Sequence, residues 1–160
     1  MFFLEETRLG ERQELGSFTF TPDAIKAFAR EYDPQPFHLD EEAGRASVFG
    51  GLAASGWHTA SVYMKLLVAD LERRRQAAKA RGEPIAQSGP SPGFKNLRWP
   101  RPVLAGDIVT YFYEATSKRP LASRPGWGIA FGLVTAVNQR SEIVLSFENS
   151  VFLPLRNPAA

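Results

Sequence analysis

Residues 55–80, SGWHTASVYMKLLVADLERRRQAAKA, are the stretch that decides the fold. Their pattern predicts one long helix from about Ser55 to Ala80. The first half of this helix is apolar nearly all round, whereas the second half carries many charges. A helix of that composition is buried at its start and projects into solvent at its end. The rest of the chain must therefore supply a surface that covers the first half.

The segments that flank the long helix predict this cover to be a sheet. Residues 14–20 alternate like a strand, and the strand period returns after Gly82–Gly93, a connection rich in glycine and proline. The later strands are predicted at Phe94–Trp99, Asp107–Lys118, Gly128–Arg140 and Ile143–Leu155, with a hairpin turn at Val137–Ser141. One strand, then helices, then a run of antiparallel strands predict an α+β fold. Because no βαβ alternation is visible, a doubly wound sheet is disfavoured.

Shorter helices are predicted between the first strand and the long helix. Thr21-Pro22-Asp23 is a helix start, with a hydroxyl N-cap, a proline at the first helical position and an acid in the first turn. This helix should end at the Asp33-Pro34 break. A second short helix is predicted at Asp40–Ala46.

Length and composition are those of an ordinary globular chain. The 160 residues predict one domain, residues 1–160, with a hydrophobic core. The absence of cysteine removes disulfides and thiolate nucleophiles, and it fits a reducing compartment. The first residues lack the features of a signal peptide, and no stretch approaches the roughly 20 apolar residues that span a bilayer. A cytoplasmic protein without a membrane partner is expected.

Charge and histidine content argue against two further kinds of site. A net charge of +2 does not indicate a nucleic-acid-binding protein. The basic run at residues 73–81 is explained at least as well by the solvated face of a helix. With two histidines and no cysteine, a transition-metal site is not expected.

The hexapeptide Asp33-Pro34-Gln35-Pro36-Phe37-His38 carries the strongest chemical signal. Each proline fixes its own φ and pushes the preceding residue towards extended geometry, so Asp33 and His38 are expected on a stiff loop that faces one cleft. A carboxylate and an imidazole held together can each carry a proton near neutral pH, as general acid–base catalysis requires. The alternative is that Asp33 caps a turn and that His38 packs or faces solvent.

The start of the long helix, Ser55-Gly56-Trp57-His58, is the second candidate. Ser55 is the predicted N-cap, and Gly56 has no side chain to hinder a ligand. The first amides of the helix could therefore hold a carbonyl that acquires negative charge. Alternatively, Gly56 is needed only for close packing between helix and sheet. His58 is expected to be neutral in the first turn, either packed in the core or supporting the site.

Together these segments resemble the MaoC-like dehydratase family, which includes the (R)-specific enoyl-CoA hydratases of the hotdog fold. The resemblance rests on the proline-started helix, on the Asp-Pro-x-Pro-Phe-His-x-Asp motif at 33–40 and on Phe-Gly-Gly-Leu-Ala-Ala-Ser-Gly at 49–56. It continues through residues 97–108, which are similar to the strand entry of the family, and it covers roughly residues 15–155. The family usually has Gly-Asp-x-Asn-Pro-aliphatic-His at the first motif, so this chain departs from it at Tyr32, Gln35 and Phe37.

The resemblance implies a fold, an activity and a site. The fold is a hotdog, a curved antiparallel β-sheet wrapped around one long central α-helix, usually in a homodimer or a higher homo-oligomer. The activity is that of a lyase (hydro-lyase) of fatty acid metabolism, which reversibly hydrates a trans-2-enoyl-CoA to a 3-hydroxyacyl-CoA thioester. No cofactor is implied beyond the CoA of the substrate. Asp33 and His38 match the catalytic pair, and Gly56 matches the glycine whose N–H binds the thioester carbonyl.

Further residues are expected to contact the substrate. They are Phe37, Ser55, Trp57 and His58 near the acid–base pair, and Lys95, Arg98 and Arg101, which would contact the CoA phosphates unless they form an ordinary solvated edge. Two alternatives for the function stay open: an acyl-CoA thioesterase of the same architecture, and a non-catalytic acyl-CoA-binding hotdog protein. In the best-known hydratases of the family a serine of the long helix supports the site, where this chain has Tyr63-Met64.

Overall fold

Five antiparallel strands form a single sheet in the structure, a computed structural model that describes residues 3–157. The strands are β1 (Arg12–Thr19), β2 (Gly93–Arg98), β3 (Ile108–Pro120), β4 (Trp127–Asn138) and β5 (Ile143–Pro154). They lie in the order β1-β3-β4-β5-β2, so β1 and β2 are the edges of the sheet. All five predicted strands are present, with ends shifted by at most two residues, and the predicted hairpin turn joins β4 to β5.

Four α-helices accompany the sheet: α1 (Pro22–Tyr32), α2 (Pro36–Leu39), α3 (Glu41–Ala46) and α4 (Gly56–Ala80). The first half of α4 packs on the sheet, where Val62 and Tyr63 join a core with side chains of β3, β4 and β5. The expected α+β arrangement, with a sheet covering one long helix, is thereby confirmed. Among the described residues no helix, α4 included, combines the length and the apolar character that crossing a membrane requires.

The cover over α4 is one-sided in the single chain. Trp57, Met64 and Val68 of this helix are more than half exposed. Phe94 and Trp99, on and next to edge strand β2, are exposed as well. The composition of the first half of α4 therefore exceeds what one sheet can bury.

The charged second half of α4 does not project freely into solvent but is attached to the sheet. Asp70 is buried, and its carboxylate pairs with Arg74 at 2.7 Å and accepts a hydrogen bond of 2.6 Å from Gln13 of β1. This contact fastens the helix to the edge of the sheet. The connection after α4, residues 81–92, then turns back onto β5, where Gly89 and Pro90 exchange backbone hydrogen bonds with Phe152. The spacing of apolar residues alone does not predict a buried, hydrogen-bonded carboxylate such as that of Asp70.

The helices α1, α2 and α3 form the segment that holds the acid–base candidates. Thr21 caps α1 through its hydroxyl, and the helix ends at Tyr32 as predicted. The short helix predicted at Asp40–Ala46 is present as α3, and Asp40 is its N-cap residue. The expectation of a stiff loop through His38 is wrong, because residues Pro36–Leu39 form the short helix α2. Pro36 favours this turn, since its fixed φ suits the first helical position and its missing N–H is not needed there.

Candidate active site

Asp33 and His38 face each other at the junction of α1 and α2. Asp33 is the C-cap residue of α1, and His38 lies in the last turn of α2. Their side chains approach to 3.3 Å between Asp33 Oδ2 and His38 Nε2. His38 is buried, with only 5% of its surface exposed, whereas the Asp33 side chain keeps 19%. The two prolines thus place a carboxylate and an imidazole side by side, with the carboxylate on the accessible side.

A backbone carbonyl sets the orientation of the imidazole. His38 Nδ1 lies 2.7 Å from the carbonyl oxygen of Ala53, which can only accept a hydrogen bond. Nδ1 therefore carries a proton, and in the neutral ring Nε2 is left as the acceptor. Two acceptors, Nε2 and Oδ2, then face each other at 3.3 Å. This arrangement is suited to receiving a proton donated from outside, for example from a water molecule held between them.

The environment of Asp33 keeps its carboxylate ionised. Burial raises the pKa of this group, but hydrogen bonds from the Ser55 hydroxyl and the Gln35 amide, together with the positive charge that His38 carries whenever it is protonated, lower it to a value below its ordinary range. The Gln35 bond is 2.8 Å long and runs to Oδ1, which leaves Oδ2 turned towards His38. Asp33 is consequently a proton acceptor at neutral pH.

Ser55 joins the acid–base pair to the start of α4. It is fully buried, its hydroxyl bonds to Asp33, and its oxygen accepts the Trp57 amide at 3.2 Å as the N-cap. Gly56 is the first helical residue. Within residues 3–157 no acceptor is recorded for the Gly56 amide, as is usual for the first turn of a helix. A free N–H at the positive end of a helix dipole is thus next to the pair.

A tryptophan closes over Gly56. The Trp99 indole Nε1 donates a 3.0 Å hydrogen bond to the Gly56 carbonyl, and a Cβ added at Gly56 would lie 2.6 Å from the ring. Only glycine permits this approach, so close packing is one reason for the residue. The same ring meets Trp57 edge-on, with centroids 5.5 Å apart. Trp99 gave no signal in the sequence, because its contact depends on how β2 lies against the helix start.

Of the other predicted residues, Phe37 lies closest to the pair. Its ring meets the His38 ring edge-on at 4.6 Å and also contacts Phe49. Phe49 is also nearly parallel to the His38 ring, with the centroids 6.4 Å apart. These rings form an apolar wall around an otherwise polar contact. The orienting carbonyl of Ala53 was not foreseen either, since a backbone atom leaves no trace in residue type.

His58 occupies a different environment from His38. Its ring stacks on Phe28 at 4.6 Å and meets Phe18 and Phe20 edge-on. Among the described residues its Nδ1 has no hydrogen-bond partner. Burial without a compensating partner lowers the pKa of His58 to about 4, so the ring is neutral. Of the two possibilities open for His58, its contacts are those of a core residue.

The three basic residues near β2 have different neighbours on β5 and on the hairpin before it. Lys95 and Arg98 are exposed, and in the strand register they face Glu148 and Ser146 of β5. Arg101 lies 3.5 Å from Glu142 in an exposed ion pair. Their role in binding CoA phosphates stays a prediction.

A cavity of about 1220 Å³ runs along α4 between the helix, the sheet and the returning connection. Its wall includes Trp57 and Met64 near one end and Arg74 and Pro84 towards the other. Asp33 and His38 are not among its lining residues. A smaller cavity, lined by Phe28, Tyr32, Trp57 and Ser61, lies on the side of α1. Trp57 borders both, so it lies between the two cavities.

The fold and this pair define a hotdog-fold protein of the dehydratase type. A family model, the MaoC like domain, matches residues 5–125, and the chain belongs to that family. Membership supports a hydratase or dehydratase role.

Three relatives illustrate the similarity. The chain is 28% identical over 150 residues to YdeM of Bacillus subtilis strain 168, a protein described as uncharacterized, covering 94% of this chain and 97% of YdeM. It is 36% identical to the crystal structure of a MaoC-like dehydratase from Rhodospirillum rubrum, with a TM-score of 0.78, covering 98% of this chain and 99% of that one. It is 25% identical to a structure described as a monoamine oxidase regulatory protein from Archaeoglobus fulgidus, with a TM-score of 0.76 and coverage of 98% and 96%.

Proposed function

We propose that the protein is a hydro-lyase that adds water reversibly to the double bond of a trans-2-enoyl-CoA. The observation that carries this proposal is the 3.3 Å contact between Asp33 Oδ2 and His38 Nε2, adjacent to the free amide of Gly56. Water addition needs a group that takes a proton from water and a group that delivers one to carbon. It also needs a donor for the thioester oxygen. All three lie on the segment from Asp33 to Gly56.

In the proposed reaction the thioester carbonyl accepts a hydrogen bond from the Gly56 amide. Water donates to Nε2 and Oδ2, and its oxygen forms a bond to C3 while one group of the pair takes its proton. The electrons of the double bond move to the carbonyl, giving an enolate that Gly56 and the helix dipole stabilise. The proton taken from water is then delivered to C2, directly or after passing across the Asp33–His38 contact, so that H and OH are added to the double bond and both groups return to their starting states.

The typical contributions of an oxyanion donor and of acid–base assistance make both the Gly56 amide and the Asp33–His38 pair indispensable to the proposed reaction. Loss of one oxyanion donor typically raises a barrier by about 2.7–4 kcal/mol. General acid–base assistance contributes about 10²–10⁴-fold. Ionised Asp33 fits the role of proton acceptor, because its lowered pKa keeps it ready to receive a proton at neutral pH.

The test measures consumption of crotonyl-CoA and of longer and branched trans-2-enoyl-CoAs by the purified protein. Asp33→Asn should reduce the rate of turnover by a factor of at least about 10². Asp40→Asn is the matched control, because Asp40 caps α3 by accepting from the Ala43 amide, a task that asparagine performs equally well. Absence of turnover on every substrate, or full activity in Asp33→Asn, overturns the proposal. Release of free CoA instead of hydration would indicate a thioesterase.

A non-catalytic acyl-CoA-binding protein is the second candidate. It is favoured by the separation of the large cavity from Asp33 and His38, and by the regulatory description of the Archaeoglobus relative. Tight binding of enoyl-CoA without turnover, unchanged in Asp33→Asn, would support it. In either case we propose the cytoplasm as the location, where acyl-CoA is the partner.

We further propose that the protein acts as a homodimer. The exposed apolar side chains of Trp57, Met64 and Val68 on α4, and of Phe94 and Trp99 at the β2 edge, favour burial against a second copy. Light scattering should give twice the chain mass, and Val68→Lys with Phe94→Lys should give the monomer. Val48→Lys, at a fully exposed loop position, is the control. A monomeric wild type contradicts the proposal.

A further inference from the structure

Asp107 is a buried carboxylate outside the acid–base pair, at the corner immediately before β3. Its Oδ2 accepts the Leu104 amide at 2.9 Å. Its Oδ1 accepts the Gln139 side-chain amide at 2.7 Å and the Arg140 guanidinium at 3.2 Å. A carboxylate is rarely buried unless it is paired in this way, and these bonds hold the corner to the hairpin between β4 and β5.

The corner is a tight turn that the Asp107 side chain helps to close. The Asp107 amide donates to the Leu104 carbonyl at 3.0 Å, and the Leu104 amide donates back to the Asp107 carboxylate. Gly106, the third residue of the turn, has a φ of +91°, which glycine adopts without strain. The main chain and the side chain of Asp107 therefore both bind the first residue of the turn.

This turn holds the segment at residues 52–54, which precedes α4. Ala53 and Leu104 form an antiparallel bridge. The two hydrogen bonds of the bridge run from the Ala54 amide to the Val103 carbonyl at 2.8 Å and from the Ala105 amide to the Leu52 carbonyl at 2.9 Å. The position of Ala53 is thus set by residues on either side of Leu104.

The polar groups of Ala53 itself face the opposite side, towards α2. Its amide donates to the Phe37 carbonyl at 3.1 Å, and its carbonyl oxygen lies 2.7 Å from His38 Nδ1. Successive residues of an extended segment direct their backbone groups to opposite sides, so residues 52–54 are held by the turn on one side and hold His38 on the other.

Two acceptors compete for the single proton of the neutral His38 ring. The Ala53 carbonyl favours a proton on Nδ1, whereas the Asp33 carboxylate, 3.3 Å from Nε2, favours a proton there. The carboxylate is the stronger acceptor. However, Ala53 is fully buried, and within residues 3–157 no donor other than His38 reaches its carbonyl, so a proton on Nε2 would leave that carbonyl unpaired. The tautomer of His38 therefore depends on where the Ala53 carbonyl lies.

We propose that Asp107 is a positioning residue of the acid–base pair: by closing the turn it holds the Ala53 carbonyl against His38 Nδ1, which keeps Nε2 free to accept a proton. This inference rests on the proposed function for the use that the reaction makes of Nε2. Asp107 itself touches neither the reacting atoms nor the imidazole.

Asparagine has the shape of Asp107 but cannot replace it. If the asparagine oxygen accepts from Leu104, its NH2 group faces the donors of Gln139 and Arg140. Gln139 cannot turn its own oxygen towards that NH2 group without giving up the Ile108 amide, which it accepts at 3.1 Å. Asp107→Asn therefore loosens the turn with little change in volume.

The test determines the tautomer from a long-range ¹H–¹⁵N correlation spectrum, which distinguishes a protonated ring nitrogen from an unprotonated one. The chain has two histidines, so His58→Phe assigns the signals. At mildly alkaline pH, wild-type His38 should carry its proton on Nδ1. In Asp107→Asn the form protonated on Nε2 should become the major one. Because the competent fraction falls, kcat on crotonyl-CoA should fall by about three- to tenfold.

Asp70→Asn is the matched control. Asp70 is an equally buried carboxylate that pairs with a glutamine amide and with arginines, but it fastens the far half of α4 to β1. The control should lose comparable stability in denaturant titrations and keep the wild-type tautomer of His38. Gln139→Ala is a second variant, at an exposed position, and it should shift the tautomer in the same direction as Asp107→Asn but by less.

The spectrum needs no substrate, so it separates this inference from the proposed reaction. If the wild type hydrates no enoyl-CoA and the tautomer still shifts in Asp107→Asn, the proposed reaction fails and the positioning of His38 by Asp107 stands. The inference is overturned if wild-type His38 is protonated on Nε2, if folded Asp107→Asn keeps the wild-type tautomer, or if Asp70→Asn shifts it equally. An active Asp107→Asn with a shifted tautomer and the wild-type kcat also overturns it. Should Asp107→Asn not fold, the tautomer in Gln139→Ala decides.

Discussion

The two histidines of the chain are equally buried but have opposite surroundings. His38 and His58 expose 5% and 7% of their surfaces. Both nitrogens of His38 have polar neighbours, the Ala53 carbonyl and the Asp33 carboxylate. His58 is enclosed by the rings of Phe18, Phe20 and Phe28, and its Nδ1 has no partner within residues 3–157. Burial alone therefore does not make an imidazole reactive; the groups that face its nitrogens do.

The difference also decides how each ring responds to a proton. A proton on His38 Nε2 would be stabilised by the ionised carboxylate of Asp33. A proton on His58 would meet only aromatic rings, and burial accordingly lowers its pKa to about 4. In the proposed reaction His38 would exchange protons, whereas His58 is arranged to stay neutral.

The largest expected effect comes from exchanging the imidazoles for side chains that carry no proton. His38→Ala should lower kcat on enoyl-CoA by about 10²–10⁴-fold, because the pair loses one of its two proton-carrying groups. His58→Phe should stay within about threefold of the wild type, since its neighbours already form an aromatic cluster. Steady-state kinetics on the two variants measures this directly. An equal loss in both would show that His58 belongs to the site and would break the comparison.

The next effect is a pH dependence of stability that belongs to His58. The neutral ring is favoured in the folded state, while an unfolded histidine takes up a proton below about pH 6.5, so the unfolded state binds more protons between pH 6.5 and 4. The free energy of unfolding should therefore fall as the pH drops through this window. The slope is at most about 1.4 kcal/mol per pH unit, or about 3 kcal/mol in all.

Denaturant titrations of the wild type and of His58→Phe at several pH values isolate this contribution. The variant should lose less stability than the wild type between pH 6.5 and 4, because phenylalanine does not titrate. Parallel curves for the two proteins would mean that His58 finds a polar partner in solution.

The smallest effect concerns the support of Asp33. Ser55→Ala removes a hydroxyl that lowers the pKa of Asp33 and caps α4, so the pKa of Asp33 should rise and the protein should lose about 1 kcal/mol of stability. The acidic limb of the pH–kcat profile should move to higher pH. Ser61→Ala is the comparison variant, since Ser61 bonds only to the Trp57 carbonyl within its own helix. Unchanged profiles in both variants would remove Ser55 from the site.

Much of the fold could be read from local patterns. The hydrophobic periodicity and the positions of glycine and proline located all five strands, α1, α3 and α4 to within two residues. This was possible because these segments bury one side against a common core. The helix α2 was missed because two prolines suggested extended backbone, whereas Pro36 occupies the one helical position that tolerates it. The buried Asp70 was missed for a different reason, since its partner Gln13 lies on a distant strand.

The candidate site was accessible from sequence only where its residues are close in the chain. Asp33 and His38 share a hexapeptide, and Ser55 and Gly56 share a helix start, so their proximity could be proposed from motifs. The Ala53 carbonyl and Trp99 reach the site through tertiary contacts, which single-residue patterns do not encode. Neighbours that meet only in three dimensions thus set the limits of the sequence prediction.

The return of residues 81–92 onto β5 keeps one wall of the long cavity apart from the acid–base pair. This connection closes the far part of the long cavity and is held to Phe152 by backbone bonds of Gly89 and Pro90, without contact to the acid–base pair. Lengthening, shortening or exchanging it would alter the volume of the cavity while leaving Asp33 and His38 in place. The architecture is therefore modular, because the size of the cavity and the geometry of the acid–base pair can change independently.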